Sequence, residues 1–195
     1  MTTSQAITCV LSVAGSDSGG GAGIQADLKA FAGCGVHGMC AVTVVTAQNT
    51  LGVTATQAVA PEVIVAQIEA VAADIGIDAV KVGVLGSRAA VVAVAEALSR
   101  LPGVPIVVDP VLVASTGARL LPLDAVDAFG ELLLPLATVL TPNLPEARML
   151  VDHLTRRPDH DQASGHGQAS GHGQASGHGY ASERESELEL VRVLG

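Results

Sequence analysis

Ala14-Gly15-Ser16-Asp17-Ser18-Gly19-Gly20-Gly21-Ala22-Gly23 runs directly into Ile24-Gln25-Ala26-Asp27-Leu28-Lys29. Upstream lies the apolar run Ile7–Val13, of strand length, and downstream Ile24–Ala32 has the spacing of an amphipathic helix. A strand, a glycine loop and a helix start in that order make one edge of a small-molecule pocket. Glycine lets the backbone approach a ligand and adopt positive φ without steric penalty. The unpaired N–H groups of a helix start favour polar or anionic ligand atoms. No Lys-Ser/Thr closes the loop as in G-x-x-x-x-G-K-[ST], and G-x-G-x-x-G does not fit either. Two readings stay open, a ligand-binding loop and a tight turn.

The strand-then-helix order repeats to about residue 150. Strands are expected at Ile7–Val13, Met39–Thr46, Ala79–Val84, Ile106–Val108 and Ala137–Leu140, with a further strand or hairpin arm at Val53–Val59. Helices are expected at Ile24–Ala32, Pro61–Ala73, Arg88–Ser99, Asp124–Leu133 and Pro145–His153. The second opens on a proline, suited to a first helical position, and Ile64, Ile68 and Val71 give it one apolar face. Such alternation predicts an α/β fold, a mostly parallel central sheet with helices on both faces. Ligands of these folds sit at the carboxyl ends of the strands. Ser16, Asp17, Gln48, Asn49, Asp109, Asn143 and Glu146 fall at those ends.

Composition narrows the function classes. Of 195 residues, 49 % are apolar and 2 % aromatic, so the core is built from Ala, Val, Leu and Ile. That suits a parallel sheet covered on both faces. A net charge of −9 supplies no basic stripe for phosphate backbones, which excludes a general nucleic-acid binder. The apolar run Val91–Leu98 is short and broken by Glu96, so no membrane span is expected. Met1–Gln5 lacks a signal-peptide pattern. Cys9, Cys34 and Cys40 have no metal-ligand spacing and read as reduced, buried thiols of a cytoplasmic protein.

The pattern breaks at Pro158. We divide the chain into residues 1–157, 158–182 and 183–195. In the second part Gln-Ala-Ser-Gly-His-Gly occurs three times in tandem, from Gln162, Gln168 and Gln174. With no apolar face to bury, it reads as a disordered insert. His166, His172 and His178 would be a solvated linker or, as the lesser reading, a loose metal chelate. Ser182-Glu183-Arg184-Glu185 has capping-box spacing, and Leu188, Leu190, Val191 and Leu194 give a helical stripe that stops at Gly195.

Several residues could carry chemistry. Asp27 falls among Ile24, Leu28 and Phe31 on the helix face; it is a partner for the helix dipole or a ligand contact. Thr46-Ala47-Gln48-Asn49-Thr50 follows a strand; its amides could read a heterocycle edge or form a turn. Asp109 ends another strand. In Thr141-Pro142-Asn143-Leu144-Pro145-Glu146, Thr141 or Asn143 could cap the next helix. If those two strands are neighbours, Asp109, Asn143 and Glu146 cluster, a set that suits Mg²⁺ held partly through water in phosphoryl transfer.

Residues 14–29, Thr-Ala-Gln-Asn-Thr (46–50), Val-Lys-Val-Gly-Val-Leu (80–85), Val-Asp-Pro-Val (108–111) and Thr-Pro-Asn-Leu-Pro-Glu-Ala (141–147) occur in this order. Together they resemble the hydroxymethylpyrimidine/phosphomethylpyrimidine kinases of thiamine biosynthesis, in the ribokinase-like superfamily. The resemblance covers residues 6 to about 153. It implies transfer of a phosphoryl group from ATP, with Mg²⁺, to the pyrimidine hydroxymethyl and then to the monophosphate. By motif position, Gly15, Ala22, Asp27, Thr46, Gln48 and Val84 would line the aminopyrimidine site, with Asp27 and Gln48 bonding its edge. Val84 stands where the family often has Met. Asp109, Asn143 and Glu146 would serve the Mg²⁺–phosphate region, Asp109 and Glu146 holding the ion through water.

The resemblance also implies segments that this chain does not contain, a Val-Lys-Gly-Gly-His-like strand and a Gly-Thr-Gly-Cys-like turn that forms the anion hole. The chain is therefore expected to be the N-terminal part of such a kinase, with the C-terminal portion of the fold missing and weak or no activity alone. Cys9, Cys34 and Cys40 lie in other contexts and do not replace that turn. An intact protein would be a homodimer. The alternatives are a non-catalytic pyrimidine-binding fragment and a pyridoxal-type vitamin kinase.

Overall fold

The computed structural model describes residues 7–112 and 121–155. The chain divides into two compact units, Met1–Glu146 and Ala147–Gly195. The insert expected at 158–182 and the helix expected at 183–195 lie outside the described residues.

The first unit is built on a six-stranded sheet in the order β3-β2-β1-β4-β5-β6. Its strands are β1 (Cys9–Asp17), β2 (His37–Asn49), β3 (Gly52–Ala58), β4 (Ala79–Val82), β5 (Ile106–Val108) and β6 (Val139–Leu140). All pairings are parallel except β2 with β3, a hairpin that places β3 antiparallel at one edge. Between the strands run α1 (Gly23–Gly33), α2 (Pro61–Asp74), α3 (Arg88–Leu98) and α4 (Leu123–Ala128). Leu11, Ser12, Val13 and Ala14 are all buried in succession along β1, so both faces of the sheet are covered there. The expected α/β architecture is the observed one.

Local chemistry explains the elements. Ser87 caps α3, its hydroxyl accepting from Ala90 N–H at 3.2 Å. On α2, Ile64 and Ile68 are fully buried, while Val71, the third member of the expected stripe, is only half-buried. The helix expected at Asp124–Leu133 is α4 followed by a wider turn over Phe129–Leu133, in which Leu134 N–H reaches back to Phe129 carbonyl, and a tight turn over Leu134–Leu136. Pro135 carries no N–H to continue the ordinary ladder. The second unit is described over Ala147–Thr155, the remainder of α5 (Leu144–Thr155).

β1 departs most from the sequence reading. It continues through Ala14-Gly15-Ser16-Asp17, residues expected in the loop, because it keeps pairing with β2 as far as Asp17 opposite Thr46. The strand expected at Ala79–Val84 stops at Val82, and the hydroxyl of Thr43 on β2 donates to Val84 carbonyl at 2.6 Å instead.

Candidate active site

Parallel strands bring their carboxyl ends to one edge. The order of strands reverses between β1 and β4, since β2 follows β1 on one side and β4 lies on the other. Such a reversal opens a crevice that suits a ligand.

The glycine loop is set by its own first residue. Asp17 is buried, and its carboxylate accepts from the N–H groups of Gly19 (2.7 Å), Gly21 (2.9 Å) and Ala22 (2.8 Å). Burial raises this carboxyl, but the N–H groups of Gly19, Ala22, Gly21 and Gly20 outweigh it and hold the pKa below the usual carboxylate range. The donors that the sequence offered to an anionic ligand are thus largely taken by the chain itself. Gln25 steadies the same corner: its Oε1 accepts from Asp17 N–H at 2.8 Å and its Nε2 donates to Ser16 Oγ at 2.7 Å. Gly23, at φ 56°, passes so close to β1 that a Cβ there would lie 2.1 Å from Gly15 carbonyl oxygen.

The end of β2 is stitched to this loop. Ser18 Oγ donates to Gln48 carbonyl (2.7 Å) and accepts from Gln48 N–H (2.8 Å). Thr46 Oγ1 lies 3.0 Å from Ser16 carbonyl and 3.1 Å from Gln48 Oε1. Gly15 faces Val44 and Val84; a Cβ on it would lie 2.9 Å from Val44 Cγ1 and 3.9 Å from Val84 Cβ. Gly15 thus packs against Val44 and Val84, and the end of β2 that carries Thr46 and Gln48 is joined to the end of β1 and to the glycine loop.

Asp27 belongs to a charged chain across the sheet. Its Oδ2 accepts from Ser12 Oγ on β1 at 2.6 Å and from Lys81 Nζ on β4 at 3.2 Å. Lys81 Nζ also lies 3.8 Å from Asp109 Oδ2, past the end of β5. Asp27 thus pairs with the buried Ser12 and the partly exposed Lys81 rather than lying in the first helical turn beside the dipole, where α1 has no acidic residue. Burial is the largest influence on Asp109 and raises its pKa; Lys81 lowers it, Asp27 raises it, and the net shift is upward.

Asn143 and Glu146 bond each other. Asn143 Oδ1 accepts from Glu146 N–H and Glu146 Oε2 accepts from Asn143 N–H, each at 3.0 Å. This reciprocal cap starts α5. β5 and β6 are indeed neighbours, and Thr141 N–H donates to Val108 carbonyl at 3.0 Å. Among the described residues no three His, Cys, Asp or Glu side chains converge as a metal cage. Asp109, partly exposed, fits a largely hydrated Mg²⁺ bound through a carboxylate and substrate phosphates.

Sequence reasoning missed Ser12, Lys81, Gln25 and the inward turn of Asp17. The available signal was a polar residue inside each of two apolar strands, in Val10-Leu11-Ser12-Val13 and Val80-Lys81-Val82.

Three comparisons complete the picture. The phosphomethylpyrimidine kinase family model matches residues 17–174. A hydroxymethylpyrimidine/phosphomethylpyrimidine kinase from Mycobacterium bovis is 56 % identical over 144 residues, covering 73 % of this chain and 52 % of the relative. The chain thus spans about half the length of the curated relatives it matches. A crystal structure of phosphomethylpyrimidine kinase from Clostridium difficile superposes with a TM-score of 0.74 at 35 % identity, over 95 % of this chain and 71 % of that one. A pyridoxal kinase from Staphylococcus aureus, solved with AMP-PCP and pyridoxal, gives a TM-score of 0.65 at 36 % identity, over 76 % of this chain and 52 % of that one. With its motifs, ribokinase-like sheet and family match in agreement, the chain belongs to the phosphomethylpyrimidine kinase family.

Proposed function

We propose that the chain serves ATP- and Mg²⁺-dependent phosphorylation of hydroxymethylpyrimidine and of its monophosphate in thiamine biosynthesis. One observation carries this reading: in a chain of this family, Gly15, Gln48, Asp109 and Asn143 all fall at the carboxyl ends of parallel strands, along one edge. Gly15, Ala22, Thr46 and Val84 would shape the pyrimidine site, with Asp27 and Gln48 bonding the ring's polar edge. Asp109 and Glu146 would hold Mg²⁺ through water, with Asn143 fixing Glu146 through the cap. ATP supplies the transferred group, and Mg²⁺ offsets charge on its phosphates. Most of the catalytic power of such transfers comes from positioning and preorganised charge, which a loop locked by Asp17 provides on the substrate side.

On this reading the protein is a cytoplasmic homodimer acting on a small molecule. Among the described residues no helix is long and apolar enough to cross a membrane. Cys9, Cys34 and Cys40 are free thiols, as suits a reducing compartment, but contrary to the expectation from the sequence none is buried: Cys34 is exposed and the other two are half-buried.

The test is calorimetric titration of the purified chain with hydroxymethylpyrimidine and with pyridoxal, followed by incubation with ATP and Mg²⁺ and mass spectrometry. Saturable binding of the pyrimidine, tighter than that of pyridoxal, is expected. Tighter binding of pyridoxal would move the chain to the vitamin-kinase reading that the Staphylococcus neighbour suggests. Absence of binding by either would overturn the substrate assignment. Phosphorylated product would place turnover within this chain; binding without product would make it the pyrimidine-binding part of the activity.

A further inference from the structure

Lys81 sits in the middle of β4 between Val80 and Val82, both fully buried. A charge placed there is costly unless paired. The surroundings are arranged for it. Ser12 is directly opposite Lys81 in the β1–β4 register and is itself fully buried. Gly83 leaves the ammonium its space, since a Cβ there would lie 3.0 Å from Nζ. Asp27 and Asp109 stand 3.2 and 3.8 Å from Nζ.

The bonds to Asp27 are one-sided. Ser12 and Lys81 both donate to Oδ2. Among the described residues Oδ1 accepts no hydrogen bond and no buried side-chain oxygen lacks a partner, so Oδ1 keeps some exposure to solvent. The carboxylate therefore has one locked oxygen and one open oxygen, and its rotation about the terminal side-chain bond is blocked by two donors from neighbouring strands.

We infer that Lys81 is a positioning residue for the pyrimidine. By holding Oδ2 together with Ser12, it presents Oδ1 as the acceptor for the exocyclic amino group of the ring. This rests on the pyrimidine reading above. Without Lys81 the Asp27 carboxylate would be held by the Ser12 hydroxyl alone and its acceptor direction would loosen, although no atom of Lys81 touches the substrate.

The experiment is calorimetric binding of hydroxymethylpyrimidine and of the same pyrimidine lacking the amino group, to the full chain and to Lys81→Met, Lys81→Arg, Ser12→Ala, Asp27→Asn and the Lys81→Met/Asp27→Asn double variant. The wild type should prefer the amino compound by at least about tenfold, since a site built to bond an N–H rejects the analogue lacking it. Lys81→Met should bring the two ligands within about threefold while leaving the des-amino affinity near wild type. Lys81→Arg should restore part of the preference, and the double variant should lose no more than Asp27→Asn alone. A purely structural ion pair would instead weaken both ligands equally, and that result, or a preference unchanged in Lys81→Met, overturns the inference while the pyrimidine reading stands. Failure of the wild type to bind either compound overturns both. If Lys81→Met does not fold, the Lys81→Met/Asp109→Asn double variant, which also removes the second carboxylate left without its cation, carries the test: an undiminished preference for the amino compound refutes the positioning role.

Discussion

Asp17 offers the most direct test of how the glycine loop is held. Its buried carboxylate takes three N–H groups at 2.7, 2.9 and 2.8 Å. Gly19, Gly21 and Ala22 are exposed, so water can reclaim the donors once the carboxylate is gone. Each bond then counts near the net value of about 1 kcal/mol, and Asp17→Ala should cost about 3 kcal/mol. Asp17→Asn keeps the oxygen facing Gly19 but sets an amide NH₂ against two N–H donors, for a cost of about 2 kcal/mol. The pH dependence has a definite sign. Because the folded carboxyl titrates below its unfolded counterpart, its contribution is fully present above the unfolded pKa of about 4 and is lost as pH falls through the lower folded value. Urea unfolding of wild type and Asp17→Asn, followed by circular dichroism at pH 7, 5, 4 and 3, reads this directly, since other titrations cancel in the difference. The gap should hold from pH 7 to 5 and narrow below 4. A gap smaller than about 0.5 kcal/mol at pH 7, or one that stays constant on acidification, would refute the claim that this carboxylate holds the loop.

Four further outcomes are expected. Gly23→Ala, which forces a Cβ to within 2.1 Å of Gly15 carbonyl at a positive φ, should cost more than about 3 kcal/mol in urea unfolding; a wild-type midpoint would deny the close approach of α1 to β1. Asp27→Ala should weaken pyrimidine binding by roughly 1–3 kcal/mol in calorimetry, and an unchanged Kd would remove Asp27 from the site. The Asp109 carboxyl is raised by burial, so its ionisation costs stability as pH rises past the unfolded value; Asp109→Asn should be at least as stable as wild type at pH 7 and lose that advantage at pH 3, while Mn²⁺ affinity falls in paramagnetic titration. Ser87→Ala removes the cap of α3 and should lower stability by about 1 kcal/mol, measured by thermal unfolding.

The fold was legible where side-chain pattern and backbone punctuation agree. β5 falls at Ile106–Val108 as expected, between Pro105 and the Asp109-Pro110 step. The end of β1 was not legible, because Gly15-Ser16-Asp17 has loop composition and only its pairing with β2 keeps it extended. Among the candidate site residues, the strand-end positions of Asp17, Gln48 and Asp109 followed from a topological rule, since strand ends share an edge in a parallel sheet. Lys81 and Ser12 escaped that rule, because a single polar residue in a short strand has the same appearance whether it faces water or a carboxylate. Asn143-x-x-Glu146 was ambiguous for a different reason: the spacing that would gather two polar groups near a metal is also the spacing of a reciprocal helix cap, and the cap is what forms.

β2 contains one residue more than β1 between the pairs Ala14–Val42 and Ser16–Val45. Before that point Met39, Ala41 and Thr43 turn inward; after it Val44, Thr46 and Gln48 are the more buried, while Val45 and Ala47 are exposed. Thr43 and Val44 are both buried side by side, the mark of the extra residue. Deleting either would swap every later side chain to the opposite face, turning Thr46 away from Ser16 carbonyl, to which it bonds. Chain length between Val42 and Val45 is therefore under strict constraint, whereas the hairpin tip at Thr50-Leu51, exposed and outside both strands, can accept insertions. An insertion at that tip is expected to be tolerated and one seven residues earlier is not, although both places lie within the same stretch of small polar and apolar residues.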